Sequence, residues 1–236
     1  MKEIIAKIFP PRVVDLLLGV LATVSFCVGM WFVFYKAPLL KLNGMPWWSQ
    51  KIFYIHLPCA WGSLSGLLIV LIASIGYLVT RKESWDTLAV AATEICFIFA
   101  TGVLITGPLW AKPSWNTFWN WGDPRLMSFF ALWMILGAYF LLRNYGDSGE
   151  QVRVASASLG IIGALSVPFV YLSVRFAPGF HPNPNKMQFD LWVRITVHTL
   201  NFSFLFLFLL LMRVRRRLEE NRNLARRIKL HCDELD

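Results

Sequence analysis

Residues 88–142 read LAVAATEICFIFATGVLITGPLWAKPSWNTFWNWGDPRLMSFFALWMILGAYFLL. Two apolar runs, 88–110 and 126–142, flank a short stretch, 110–126, that holds four tryptophans and a phenylalanine. An α-helix needs about 20 apolar residues to cross the roughly 30 Å of hydrocarbon in a bilayer, so the first run is long enough and the second is near the lower limit. The segment therefore predicts two membrane helices joined by a tryptophan-rich loop.

The rest of the chain repeats this pattern of long apolar runs. Four more occupy residues 13–35, 53–79, 154–174 and 191–212. Of all residues, 56% are hydrophobic and 16% are charged, and this composition excludes an ordinary soluble domain. We predict an all-α polytopic membrane protein, a six-transmembrane-helix bundle that forms one integral membrane domain over residues 1–236. It carries a tryptophan-rich outer loop at 110–126 and a cytoplasmic basic tail at 213–236.

The basic residues predict the orientation of the bundle. Six spans place both termini on one side, and with that side cytoplasmic, fifteen of the 23 Lys and Arg residues lie inside. Because positive residues concentrate in cytoplasmic segments, we expect a bacterial cytoplasmic (inner) membrane protein with both termini in the cytoplasm. The tail is expected to continue as a short amphipathic helix that meets anionic lipid, and no nucleic acid is needed to explain its charge.

Two of the four histidines fall on the same predicted face as the tryptophan-rich loop. His56, in KIFYIHLPCAW, lies at the start of the second span, where Pro58 suits the first turn of a helix. His181, in RFAPGFHPNPN, lies between the fifth and sixth spans among prolines that restrict its backbone. Two neutral imidazoles can hold a haem iron from opposite sides of the ring, and flat indole faces suit a large apolar ligand.

Each of these features alone has an ordinary explanation. Interfacial tryptophans form aromatic belts in many membrane proteins, and a single histidine near the interface is commonly just a polar side chain at the water boundary. A ligand site is favoured because three distant segments converge on one membrane face.

The segments YIHLPCAW, GPLWAKPSWNTFWNWGDPRLMSFF and SVRFAPGFHP resemble the haem-handling membrane proteins of cytochrome c maturation, and within them the CcmC family, also called haem exporter protein C. The likeness runs from the first helix to the sixth. It implies that His56 and His181 are the axial ligands of a haem iron, with haem b as the transported ligand. It also implies that the tryptophan-rich "WWD" loop packs on the haem edge, through Trp115, Trp119, Trp121, Asp123 and Arg125.

The loop departs from the family pattern at three positions. Gly122 intervenes before Asp123, Asn116 stands where a glycine is common, and Met127 stands where a threonine is common. The roles of single loop residues are therefore less defined than the role of the loop. Asp123 followed by Pro124, at the mouth of an apolar run, also predicts the N-cap and first residue of the fourth helix, which is compatible with ligand binding.

Haem carries two propionates, which call for cations near the ring. The arginines are favoured over lysine because a guanidinium can bind a carboxylate through two parallel hydrogen bonds. The outer candidates are Arg125, Arg175, Lys186 and Arg194. Within the spans, a hydrogen bond inside the bundle is favoured for His198 over a role in haem entry, and Glu94 receives no role.

The resemblance implies that the protein binds haem at the outer membrane face and delivers it to the haem chaperone CcmE. CcmD and the ABC transporter subunits CcmA and CcmB are the other expected partners. We do not expect an enzyme, and the chain has no GxxxxGKS or GxxxxGKT motif that would bind ATP. Two other classes stay open: a haem b-binding subunit of a respiratory oxidoreductase, which commonly needs inner histidines for a second haem, and the permease subunit of a transporter.

Overall fold

The computed structural model of the chain describes residues 11–38, 49–146, 149–176, 179, 181 and 189–233. Every regular element in these ranges is helical. The elements are α1 (Pro11–Tyr35), a 3₁₀ helix (Ser49–Ile52), α2 (Phe53–Thr80), α3 (Glu83–Trp115), α4 (Pro124–Tyr145), α5 (Glu150–Leu165), α6 (Val167–Phe176) and α7 (Leu191–Asp233).

Six helical segments of the described chain are long and apolar enough to cross a membrane, which confirms the predicted six-helix membrane bundle. The fourth, the shortest in the prediction, is a complete helix of 22 residues. The fifth consists of α5 and α6, with a turn at Ser166 between them. The turn follows from Pro168, because proline cannot donate a backbone hydrogen bond and its ring crowds the carbonyl four residues earlier.

The bundle core is formed by residues of α2 to α7, and α1 packs along α7. Leu67, Cys96 and Leu132 are at most 1% exposed in this core. Helix α1 is buried at only three positions, and one of them, Gly29, meets α7: a Cβ atom there would lie 2.5 Å from Leu200 Cδ2. Outward-facing residues such as Leu16, 67% exposed, are apolar, as lipid contact requires.

The predicted loop at 110–126 is wrong at its beginning, because α3 continues to Trp115. Pro113 removes one helical hydrogen bond, yet local contacts hold the last turn. The Ser114 hydroxyl donates to the Trp110 carbonyl at 2.7 Å, and the Trp110 and Trp115 rings meet edge to face with centroids 5.1 Å apart. The loop between α3 and α4 is therefore 116–123.

The basic tail is helical, but it is not the short helix that the sequence predicted. It continues the last span, since α7 runs without a break through Asp233, and 234–236 lie outside the described residues. Its arginines pair with acids of other helices instead of facing only lipid. Arg213 and Arg217 both contact Asp15 of α1, and Arg215 contacts Glu94 of α3. Glu94, to which the sequence assigned nothing, is thus half of an interhelical ion pair.

Candidate functional site

The start of α2, the end of α3, the start of α4 and the segment that follows α6 meet at one end of the bundle. We call this the histidine end; it comprises His56, the loop 116–123 and His181. The three segments that the sequence predicted on one face are therefore together. His56 interacts electrostatically with both His181 and Arg125.

His56 is half-buried in the first turn of α2. The helix begins at Phe53, directly after the 3₁₀ helix, so Pro58 lies in the second turn and not in the first as predicted. The backbone of Ile52 is already helical, with φ −59° and ψ −33°, so helical conformation begins ahead of Phe53. The chain is thus helical before, at and after His56, and the imidazole extends from a rigid element.

Thr106 of α3 determines which nitrogen of His56 carries the proton. Its hydroxyl donates to the Gly102 carbonyl at 2.7 Å, so its oxygen is left to accept from His56 Nδ1 at 2.9 Å. A neutral imidazole with its proton on Nδ1 has a lone pair on Nε2. Metal-bound histidines use the same arrangement, in which one nitrogen donates to the protein and the other binds the metal.

Asp123 is the N-cap of α4, as the sequence predicted. Its Oδ1 accepts from the backbone N–H groups of Arg125 and Leu126, at 3.0 and 3.1 Å. Its Oδ2 accepts from the backbone N–H of His181 at 3.2 Å, and the residue is only 1% exposed. One carboxylate therefore joins the start of α4 to the histidine segment.

Gly179 allows this close approach. A Cβ atom on Gly179 would lie 2.6 Å from Asp123 Oδ2, closer than real Cβ contacts permit. The glycine two residues before His181 is required because the carboxylate occupies the space where a side chain would begin.

Arg125 contacts the ring of His181. Its Nη1 lies 3.4 Å from His181 Nδ1. A guanidinium can only donate, so Nδ1 accepts and a neutral His181 carries its proton on Nε2. The two histidines are thus held in opposite tautomers, with Nε2 available on His56 and protonated on His181.

Two indole rings of the loop, those of Trp119 and Trp121, are inclined to each other. Trp119 and Trp121 meet at 66°, and both contact Phe130 of α4 edge to face. Aromatic rings prefer this geometry because the positive edge of one ring faces the negative face of the next. Trp121 remains 69% exposed, whereas the Trp119 Nε1 atom is buried and donates to no acceptor in the described part of the chain.

The departures in the loop have different structural consequences. Asn116 is the C-cap of α3 with φ 57°, a left-handed conformation that glycine and asparagine tolerate best, so asparagine here replaces glycine without strain. Gly122 donates its N–H to the Asn120 side chain at 2.9 Å, which closes a tight turn ahead of Asp123. The turn places Asp123 at the N-cap of α4.

The remaining predicted residues are not brought to this site by described contacts. Arg194 is exposed on the first turn of α7. Lys186 and the side chain of Arg175 lie outside the described residues. His198 is exposed in a groove between α2 and α7 that Trp61 and Asn201 also line, so the expected hydrogen bond inside the bundle is wrong. The predicted hydrogen bond does not form because His198 lies on an exposed face of α7.

Thr106 is the residue that sequence reasoning missed. Its side chain reaches His56 only because α2 and α3 pack side by side in one particular register, and a threonine in an apolar run carries no local sign of that contact. Gly179 was missed for a similar reason, since its neighbour Asp123 is distant in sequence.

Several known proteins are similar to this chain in sequence. A family model described as "Heme exporter protein C" matches residues 7–229. The Heme exporter protein C of Bradyrhizobium diazoefficiens is 38% identical over 141 residues, which are 59% of this chain and 53% of that protein. A ccmC-like mitochondrial protein of cytochrome c biosynthesis from Marchantia polymorpha is 32% identical over 180 residues, 74% of each chain. The Heme exporter protein C of Escherichia coli strain K12 is 29% identical over 185 residues, 76% of this chain and 74% of that protein. The chain thus spans about half of the first relative and about three quarters of the other two.

Proposed function

The chain belongs to the Heme exporter protein C family, and from that membership we propose that it binds haem at its histidine end and delivers it to the chaperone CcmE for the maturation of c-type cytochromes. The observation that carries the proposal is the hydrogen bond between Thr106 and His56 Nδ1, at the same end of the bundle as the contact between Arg125 and His181. Haem is the cargo here, and the protein has a transport role without catalysis of its own.

In this proposal, His56 is the preorganised ligand of the haem iron. Its Nδ1–H is fixed by Thr106, so Nε2 can bind iron with no rearrangement of protons. The donor set suits haem, because the porphyrin supplies four nitrogens and needs only two protein ligands.

His181 is the exchangeable ligand. If iron binds Nδ1 of His181, it takes the place of Arg125. If iron binds Nε2, the proton of the neutral imidazole moves to Nδ1, which then cannot accept a hydrogen bond from Arg125. In both cases Arg125 leaves His181 when haem binds, and its guanidinium is then free to bind a propionate in two parallel hydrogen bonds. When haem departs, the contact with His181 forms again, which limits the cost of release.

The loop 116–123 provides the surface on which haem is transferred. Trp121 presents a largely exposed ring, and the buried Trp119 N–H has no acceptor among the described residues, so a haem propionate would supply one. Trp115 packs on Trp110 at the end of α3 and contributes the edge of this surface. Asp123 acts indirectly, since it holds Arg125 and the His181 backbone in place.

We further propose that the histidine end faces outward from a bacterial inner membrane, with both termini in the cytoplasm. The opposite end of the bundle carries the arginines of α7 and the Arg81–Lys82 turn, and positive charge favours the cytoplasmic side. CcmE would then receive haem at the outer face, while CcmA, CcmB and CcmD complete the assembly and supply any energy from ATP.

The test measures haem content and function in the same variants. We expect purified wild-type protein to carry haem, and His56→Ala or His181→Ala to lose most of it together with mature c-type cytochromes in cells. The control is His198→Ala, which removes an exposed histidine outside the site. Full haem content in both site variants would refute the proposal, and protein without haem in all forms would favour a permease subunit. Haem retained together with quinone-dependent electron transfer would favour a respiratory subunit.

A further inference from the structure

A polar cavity of about 120 Å³ lies at the end of the bundle opposite the histidines. It is enclosed by the end of α4, the start of α5 and one face of α7. Its charged lining consists of Glu219 and five arginines, Arg143, Arg153, Arg215, Arg222 and Arg226. We call it the arginine pocket.

The carboxylates of the described chain do not neutralise these arginines one for one. Arg143 binds the buried Asp86 in a two-pronged contact at 3.0 and 3.1 Å. Glu219 is shared by three arginines, of which Arg215 is closest at 2.9 Å.

Two arginines at the mouth of the pocket have the weakest contacts. Arg222 reaches Glu219 only at 3.8 Å and its side chain is 62% exposed. Arg226 makes no ion pair with any described residue. Among the described residues, the pocket therefore holds one more arginine than the carboxylates pair with.

The pocket lies at the depth where lipid headgroups are expected. Gly146, directly after α4, and Gly149, directly before α5, both line it, so it begins where the fourth and fifth spans end. A cavity of this size holds a phosphate group but not a whole lipid, whose acyl chains must lie along the helices. Guanidinium groups bind phosphate oxygens in pairs, and basic pockets between membrane helices commonly hold anionic headgroups.

We propose that the arginine pocket binds the phosphate group of an anionic phospholipid. Arg222 and Arg226 contact the phosphate oxygens, and Arg143 and Arg215 form the positive floor while they remain paired with Asp86 and Glu219. The lipid phosphate thereby joins α7 to the connection between α4 and α5. This site is independent of the haem site and of the proposed transport.

The test uses the full-length protein in detergent, mixed with micelles of phosphatidylglycerol or of phosphatidylcholine, and counts bound lipids by native mass spectrometry. We expect retention of phosphatidylglycerol but not of phosphatidylcholine. Arg222→Gln with Arg226→Gln should reduce retention by about tenfold to thirtyfold. Lys82→Gln with Arg216→Gln removes the same charge away from the pocket and should retain the lipid.

Three results would overturn the proposal. Equal loss in both double variants would mean diffuse charge attraction, and equal retention of the two lipids would mean binding through acyl chains. Complete displacement by an equal concentration of inorganic phosphate would assign the pocket to a soluble phosphate and not to lipid. Because Arg222 and Arg226 are exposed, the variants should fold; if the double variant does not, Arg226→Gln alone gives the same comparison.

Discussion

Replacement of Thr106 by valine tests how His56 is prepared to bind iron. Valine keeps the shape of threonine but cannot accept the 2.9 Å hydrogen bond from His56 Nδ1. A half-buried N–H left without an acceptor costs about 1–3 kcal/mol, and the imidazole also becomes free to move its proton to Nε2. Loss of the partner that orients a metal-binding histidine typically lowers affinity about 10- to 100-fold, equal to about 1.4–2.8 kcal/mol.

The assay is a haem titration of the purified haem-free protein followed by absorbance. Thr106→Val should raise the Kd for haem by that factor, and Thr106→Ser should restore wild-type affinity because the hydroxyl returns. The control is Thr101→Val on the same helix, which loses a bond of equal length, from Trp133 Nε1 at 2.9 Å, away from His56. Unchanged haem affinity in Thr106→Val, or an equal loss in Thr101→Val, would refute the reasoning.

Three further changes test other parts of the structure. Gly179→Ala places a methyl group 2.6 Å from Asp123 Oδ2, so we expect the cap of α4 to shift. The free energy of unfolding should fall by about 1–3 kcal/mol, and haem affinity should fall with it. Asp86→Asn leaves the partly buried Arg143 without its closest counter-charge and should cost about 3 kcal/mol in unfolding experiments, with haem affinity unchanged. Trp121→Ala removes a largely exposed ring and should slow haem transfer to CcmE in a reconstituted assay while expression and thermal stability stay at wild-type levels.

Gly179→Ala and Asp86→Asn each have a matched control variant, and Trp121→Ala has a result that would contradict the prediction. Gly149→Ala introduces the same methyl group where nothing lies within 4 Å and should leave stability unchanged. Glu220→Gln breaks an exposed ion pair with Arg216 and should cost at most about 1 kcal/mol. If Asp86→Asn costs no more than this, burial does not strengthen the ion pair of Asp86 with Arg143. A drop in expression of Trp121→Ala as large as its drop in transfer would mean that the ring supports folding.

Most of the fold is predictable because it follows from local properties of the chain. The length of an apolar run decides whether a helix can span the bilayer, and all six runs become helices. The cap at Asp123 is also local, since an Asp–Pro pair ahead of an apolar run supplies both the acceptor and a suitable first residue.

What the sequence does not predict depends on contacts between distant segments. The basic part of α7 stays helical alongside the bundle because Asp15 and Glu94, on two other helices, pair with its arginines. The link between Thr106 and His56 depends in the same way on the register between α2 and α3. Helical periodicity predicts which face of a helix is buried, but not which other helix packs against that face.

The central claim is that His56 and His181 bind one haem iron from opposite sides. Its most direct test is the spin state of the bound ferric haem, measured by electron paramagnetic resonance on the purified haem-loaded protein. We predict a six-coordinate low-spin signal in the wild type and in His198→Ala. His56→Ala and His181→Ala should each give a high-spin signal that returns to low spin when imidazole is added. A wild-type low-spin signal in either single variant, without imidazole, would contradict the claim.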